Sequence, residues 1–150
     1  MFDYQILNPG EAESRKQDVE SVIDFLFEHL DQFGDPREDI AKCAAYALST
    51  EPGFGGFIVR AWDTEAQRVA GAVIVNETGM KDYIPENLLV YIAVHSGYRG
   101  KGLGKGLMKR AMDRADGDIA LHVEPDNPAR YLYEKLGFTN KYLEMRWKRS

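Results

Sequence analysis

The chain has 150 residues, 44% of them apolar and 29% charged, with a net charge near −5; this suits one domain spanning 1–150 and excludes a disordered or low-complexity chain. Basic residues are scattered except between Arg99 and Arg114, which argues against a nucleic-acid partner, and no apolar run nears the roughly 20 residues of a membrane span. Met1 to Gly10 lacks the pattern of an export signal, and the single cysteine, Cys43, allows neither an internal disulfide nor a thiolate metal cluster, so a cytoplasmic protein without a metal is expected.

Val19, Val22, Ile23, Leu26 and Leu30 recur at helical spacing, which predicts an amphipathic helix over roughly 12–32. Asp35-Pro36-Arg37-Glu38 supplies a capping carboxylate, a proline at the first helical position and a glutamate three residues after the cap, so a second helix is expected to about Ser49. Cys43 sits in its alanine-rich part and reads as a small core residue. After the helix-breaking stretch Glu51 to Gly56, Phe57-Ile58-Val59 with Trp62 predicts a strand, and Val69 to Val75 a returning strand. A long polar connection follows, from Asn76 to Asn87. Leu88 to Val94 is apolar almost throughout, as a strand buried on both faces would be.

A glycine-rich segment then leads into Leu103, Leu107, Met108 and Ala111 at helical spacing. Ile119 to Val123 reads as a strand parallel to its predecessor, and Pro128 opens a helix that Gly137 ends in a left-handed conformation. Phe138 to Trp147 is expected to add one or two edge strands, which could pair across a homodimer. The order is β α α β β β α β α β, a mixed α/β domain.

The segment Tyr98-Arg99-Gly100-Lys101-Gly102-Leu103-Gly104-Lys105 lies where a strand meets the first turn of a helix. Backbone N–H groups there have no partner inside the helix, and glycines admit a ligand close to the chain, so a diphosphate fits. Lys101 and Lys105 favour the same anion. A Walker loop is excluded, because Gly104-Lys105 is followed by Gly106. A dinucleotide fold would place such a loop after its first strand, whereas here a hairpin precedes it.

Arg99, Gly102 and Gly104 match the signature of the GCN5-related N-acetyltransferase superfamily: Arg or Gln, two residues, Gly, one residue, then Gly or Ala. Ile92-Ala93-Val94-His95 resembles that family's coenzyme strand, and Asn127, Ala129, Leu132, Tyr133, Leu136, Gly137 and Phe138 its second conserved segment. The resemblance implies a mixed, mostly antiparallel sheet with splayed parallel fourth and fifth strands and flanking helices. It implies acetyl-coenzyme A as cosubstrate: N–H groups from Gly100 to Lys105 hold the diphosphate, the pantetheine arm lies along Ile92, Ala93 and Val94, and Asn127 completes the cofactor set. The acceptor is then an amine of a small molecule or peptide, attacked directly in a ternary complex.

Such a transfer needs a proton acceptor for the amine and a donor for the departing sulfur. By the resemblance, Tyr133 is the donor. Strand alternation would put His122 and Glu124 on one face, and either can be the base, directly or through water. The place where some relatives carry a base, at the start of the fourth strand, holds Leu88, with Glu86 two residues earlier. Tyr91 and His95 are outside candidates for the base, each more often a packing or surface residue, and His29 reads as solvent-facing. The acceptor pocket implied is about 25–56 with 76–87, where Asp31, Asp35, Glu51, Glu77, Asp82 and Glu86 could attract a cation. Two rival readings are a non-catalytic coenzyme A sensor and an acyltransferase taking a longer acyl chain.

Overall fold

In the computed structural model, which describes residues 1–150, an N-terminal strand β1 (Phe2–Leu7) precedes two helices, α1 (Lys16–His29) and α2 (Arg37–Leu48). A 3-10 turn, Asp31–Phe33, separates them. The first helix is shorter than its periodic pattern because the chain leaves it at Leu30, and Asp31 takes a positive φ. At the second, Pro36 rather than Asp35 occupies the cap, and its carbonyl accepts from Asp39 and Ile40 N–H. Asp35 is drawn away by Tyr91, whose hydroxyl donates to its carboxylate at 2.6 Å.

Next come β2 (Gly56–Asp63) and β3 (Arg68–Glu77), a hairpin, then β4 (Asn87–Val94), α3 (Leu103–Arg114), β5 (Ile119–Leu121) and α4 (Ala129–Lys135). The sheet runs in the order β1-β2-β3-β4-β5, antiparallel up to β4 and parallel between β4 and β5. Alternation along each strand fills two cores. Ile58, Ala72, Ile74, Tyr91 and Ala93 face α1 and α2, while Phe57, Val59, Val73, Val75 and Leu89 face α3 and α4. A sheet covered on both faces needs apolar residues at successive positions, which explains the unbroken runs in β2, β3 and β4. No helix is long and apolar enough to cross a membrane.

Two features set up the site. The β3–β4 register shifts between Ile74 and Val75, which pair with Tyr91 and Leu89, so Val90 is an extra residue that bends β4. β5 pairs with β4 only through Asn87, Leu88 and Leu89, then departs, leaving the edge from Val90 to Val94 without a strand beside it. The expected splay of the two parallel strands is therefore present.

The C-terminal strands expected over Phe138 to Trp147 do not form. Phe138 N–H donates to the Tyr133 carbonyl at the end of α4, and no residue after it belongs to a strand. Leu143, Met145 and Trp147 are 85%, 90% and 75% exposed. Their alternation with Glu144, Arg146 and Lys148 is a strand pattern, but β5 stops at Leu121 and offers only three residues of edge to pair with. A periodic pattern becomes a strand only where a neighbouring ladder takes its hydrogen bonds.

Candidate active site

Tyr98, buried at 8% exposure, anchors the glycine loop to the hairpin: its hydroxyl donates to Asp63, and the Arg68 Nε donates to it at 3.0 Å. From there Arg99 is extended, and Gly100 and Gly102 take φ of 82° and 76°, values that L side chains rarely adopt. Gly102 caps α3, and no side chain takes the hydrogen bonds of the first turn. Arg99 and Lys101 N–H make long turn bonds, at 3.4 and 3.3 Å to Ser96 and Tyr98 carbonyls. The N–H groups of Gly100, Gly102, Leu103, Gly104 and Lys105 have no protein acceptor. Five such donors at the positive end of a helix, with the exposed side chains of Arg99, Lys101 and Lys105 around them, form a receptacle for an anion with several oxygens.

The open edge of β4 leads into this loop. His95 N–H donates to Ala70 O across the β3 ladder, so by alternation the N–H and C=O of Val94, and those of Ile92, point to the open side. An extended amide-bearing chain can pair there as a strand would. Ala93 turns its side chain into the core with Tyr91. On the α3 and α4 face, a Cβ built on Gly104 would lie 3.1 Å from Leu132 Cδ2 and 3.9 Å from Val94 Cγ2, so α4, the first turn of α3 and the end of β4 meet at one point. That is the junction at which the open strand edge passes into the loop.

Tyr133 belongs to the same cluster, 6% exposed and packed near Phe138 with ring centroids 6.1 Å apart. Burial pushes its phenol up to about 12. Asn127 is partly committed, since its Oδ1 accepts from Ala129 N–H at 2.9 Å and so starts α4. His122 and Glu124 are exposed and lie beyond Leu121, where β5 ends, so strand alternation does not govern their direction.

Glu86 is occupied elsewhere. Its carboxylate accepts Asp118 N–H at 2.8 Å and Asp82 N–H at 3.2 Å, and these bonds hold its pKa below the usual carboxylate range. It ties the loop before β4 to the start of β5. His29 is not solvent-facing: its ring stacks on Phe25 and lies tilted against His95, with centroids 4.5 Å apart in each pair. His95 accepts Gly97 N–H on Nδ1, and burial, followed by His29 and Arg68, pushes its pKa down. Cys43 is buried, and its thiol is pushed up to about 12 by desolvation, so it is a core residue as expected. The sequence gives no sign of the Tyr91–Asp35 contact, because a tyrosine in an apolar run reads as packing and its partner lies 56 residues away.

An open strand edge continuing into a helix start rich in free N–H groups can receive an extended chain that ends in a diphosphate. The chain belongs to the acetyltransferase (GNAT) family, whose model matches residues 19–138. A stretch of 75 residues is 43% identical to mycothiol acetyltransferase of Corynebacterium glutamicum (strain R), covering 46% of this chain and 26% of that protein. The chain thus spans about a quarter of the length of the curated relative it matches. The ribosomal-protein-S18-alanine N-acetyltransferase of Escherichia coli is similar in structure, with a TM-score of 0.68 at 20% identity over 95% of this chain and 80% of that one. An aminoglycoside N-acetyltransferase solved with coenzyme A gives a TM-score of 0.68 at 14% identity, over 99% of this chain and 95% of the other. At these identities the structural likeness is one of fold.

Proposed function

We propose that residues 1–150 act as one catalytic domain that transfers the acetyl group of acetyl-coenzyme A to a primary amine. The observation that carries this reading is the set of five unpaired N–H groups from Gly100 to Lys105, continuous with the open edge of β4. The diphosphate sits on the former, with Arg99, Lys101 and Lys105 reinforcing it, and the pantetheine arm runs along Ile92, Ala93 and Val94. The free amide of Asn127, whose Oδ1 is already used, supplies a further donor to the arm. Acetyl-coenzyme A brings the thioester, which is the activated acyl group.

The amine must be neutral to attack, while a lysine-like amine with pKa near 10.4 is mostly protonated at pH 7. His122 or Glu124, both open to water beside the end of β5, takes that proton directly or through water. Nitrogen then bonds to the carbonyl carbon, and the charge that develops on oxygen is met by an N–H on the open side of β4, such as that of Val94. The C–S bond breaks and Tyr133 donates to the departing sulfur. A phenol at about 12 would be a poor acid toward a thiolate in water, whose conjugate thiol titrates near 8.5. Burial changes both partners in the same direction. A thiolate that leaves into the apolar surroundings of Tyr133 is raised by the same desolvation as the phenol, which narrows the gap between them.

The test is amine-dependent release of free thiol from acetyl-coenzyme A across a panel of amines. Turnover with at least one primary amine is expected. A protein that binds the coenzyme and acetylates none of them would favour the sensor reading, and faster release from longer thioesters the longer-chain one.

A further inference from the structure

The two parallel strands meet over a very short length. β5 pairs with β4 at three positions, Asn87 with Ile119, Leu88 with Ala120 and Leu89 with Leu121, and the extra residue Val90 follows at once. Three residues are the lower limit of a strand, so bonds at the first rung carry much of its alignment. Four of them grip the turn Asp116-Gly117-Asp118 from which β5 starts. Asn87, only 1% exposed, donates its backbone N–H to Asp118 O at 3.0 Å and its Nδ2 to Asp116 O and Asp118 O at 2.9 and 3.2 Å. Glu86 Oε1 accepts Asp118 N–H at 2.8 Å. Gly117 lets the turn come this close: its φ is 98°, and a Cβ there would lie 2.5 Å from Glu86 Oε1.

The loop between β3 and β4 braces the same residue. Glu86 Oε2 accepts Asp82 N–H at 3.2 Å, and the Glu86 carbonyl accepts Thr78 N–H at 2.9 Å. With both carboxylate oxygens engaged and its pKa pushed down by these bonds, Glu86 is poorly matched to proton transfer near neutral pH. Its position suits holding instead. His122 and Glu124 follow Leu121 without a ladder of their own, so their direction is set by how the three residues of β5 are aimed.

We propose that Glu86 is a positioning residue: with Asn87 it pins the start of β5, fixes the angle at which β5 leaves β4, and so places the proton acceptor at His122 or Glu124 against the open β4 edge. This rests on the acetyltransferase reading above. The pin lies at the end of β4 opposite Val94 and the glycine loop, so it governs the part of the opening farthest from the diphosphate.

The experiment compares Glu86→Gln and Glu86→Ala with wild type. Calorimetry with coenzyme A gives Kd and the number of sites. Turnover per site is then measured with whichever of butylamine, benzylamine, lysine amide and a tripeptide with a free N-terminus the wild type acetylates fastest. Glutamine keeps an oxygen for Asp118 N–H but cannot act as a base, and alanine keeps neither property. Glu86→Ala should lower kcat per site about tenfold or more, Glu86→Gln should stay within about threefold, and the coenzyme Kd of both should stay within about twofold. Equal losses in the two variants would make the charge of Glu86 the active feature. Unaltered kcat in Glu86→Ala, or a loss explained by fewer coenzyme sites, would reduce Glu86 to a structural contact. Each of these results overturns the proposal and leaves the acetyltransferase reading in place. A wild type that binds no coenzyme A, or binds it and acetylates none of the amines, overturns that reading and the proposal with it.

Discussion

At Tyr133, burial holds the phenol protonated through the whole physiological range, so the side chain can serve the proposed reaction as a hydrogen-bond donor. Tyr133→Phe removes the donor and keeps the ring that packs near Phe138. Thiol release should fall about a hundredfold in kcat, the low end for a positioned acid, with the acetyl-coenzyme A KM little changed. Unaltered turnover would remove Tyr133 from the mechanism. The same raised pKa sets a stability window. The folded state holds this proton more tightly than the unfolded chain, so the contribution is complete below about pH 10 and is lost as pH rises through about 12. Thermal melts of wild type should weaken across that interval more than those of Tyr133→Phe. Asp35 shows the limit of reading single residues from the sequence: its cap signature is a local pattern, and a long-range partner, Tyr91, outcompetes it.

Among the elements, the glycine loop depends on backbone conformation rather than on room for side chains. A Cβ at Gly102 would meet no atom within 4 Å, so Gly102→Ala costs only the left-handed strain, about 1–2 kcal/mol. The melting temperature should drop modestly and coenzyme A affinity more sharply, as relaxing φ turns the first-turn donors away from their common target. Equal affinity in the variant would show that the loop does not hold the diphosphate. This loop was legible in the sequence because its chemistry is local: glycines, a preceding apolar strand and helical spacing after it lie within a few residues. The order from α1 to α4 was legible for the same reason, since each of these elements buries a periodic face of its own, whereas Phe2–Leu7 buries little beyond Leu7 and carries no such pattern. The length of β5 was not, because Val123 continues the apolar pattern while the splay from β4 ends the pairing at Leu121. That splay decides the positions of His122 and Glu124.

For the whole molecule, two cores flank one sheet, and the segment from Thr139 to Ser150 lies outside both. Deleting 141–150 should leave the melting temperature within about 2 °C and improve solubility, because it removes the exposed Tyr142, Leu143, Met145 and Trp147. A large loss of stability would mean that these residues have a packing partner. The terminal strands expected from alternation failed here for a whole-molecule reason: no sheet edge of sufficient length remains to receive them. The open β4 edge lies between the two layers, and Tyr133 packs in the layer of α3 and α4. The proposed transfer depends on the five free N–H groups at the start of α3 binding a diphosphate. Titration calorimetry with coenzyme A and with pantetheine, which has the same arm without the nucleotide diphosphate, tests this most directly. Coenzyme A should bind one to one and at least about a hundredfold more tightly, the equivalent of two charge-assisted hydrogen bonds; equal affinities, or no binding of coenzyme A, would contradict it.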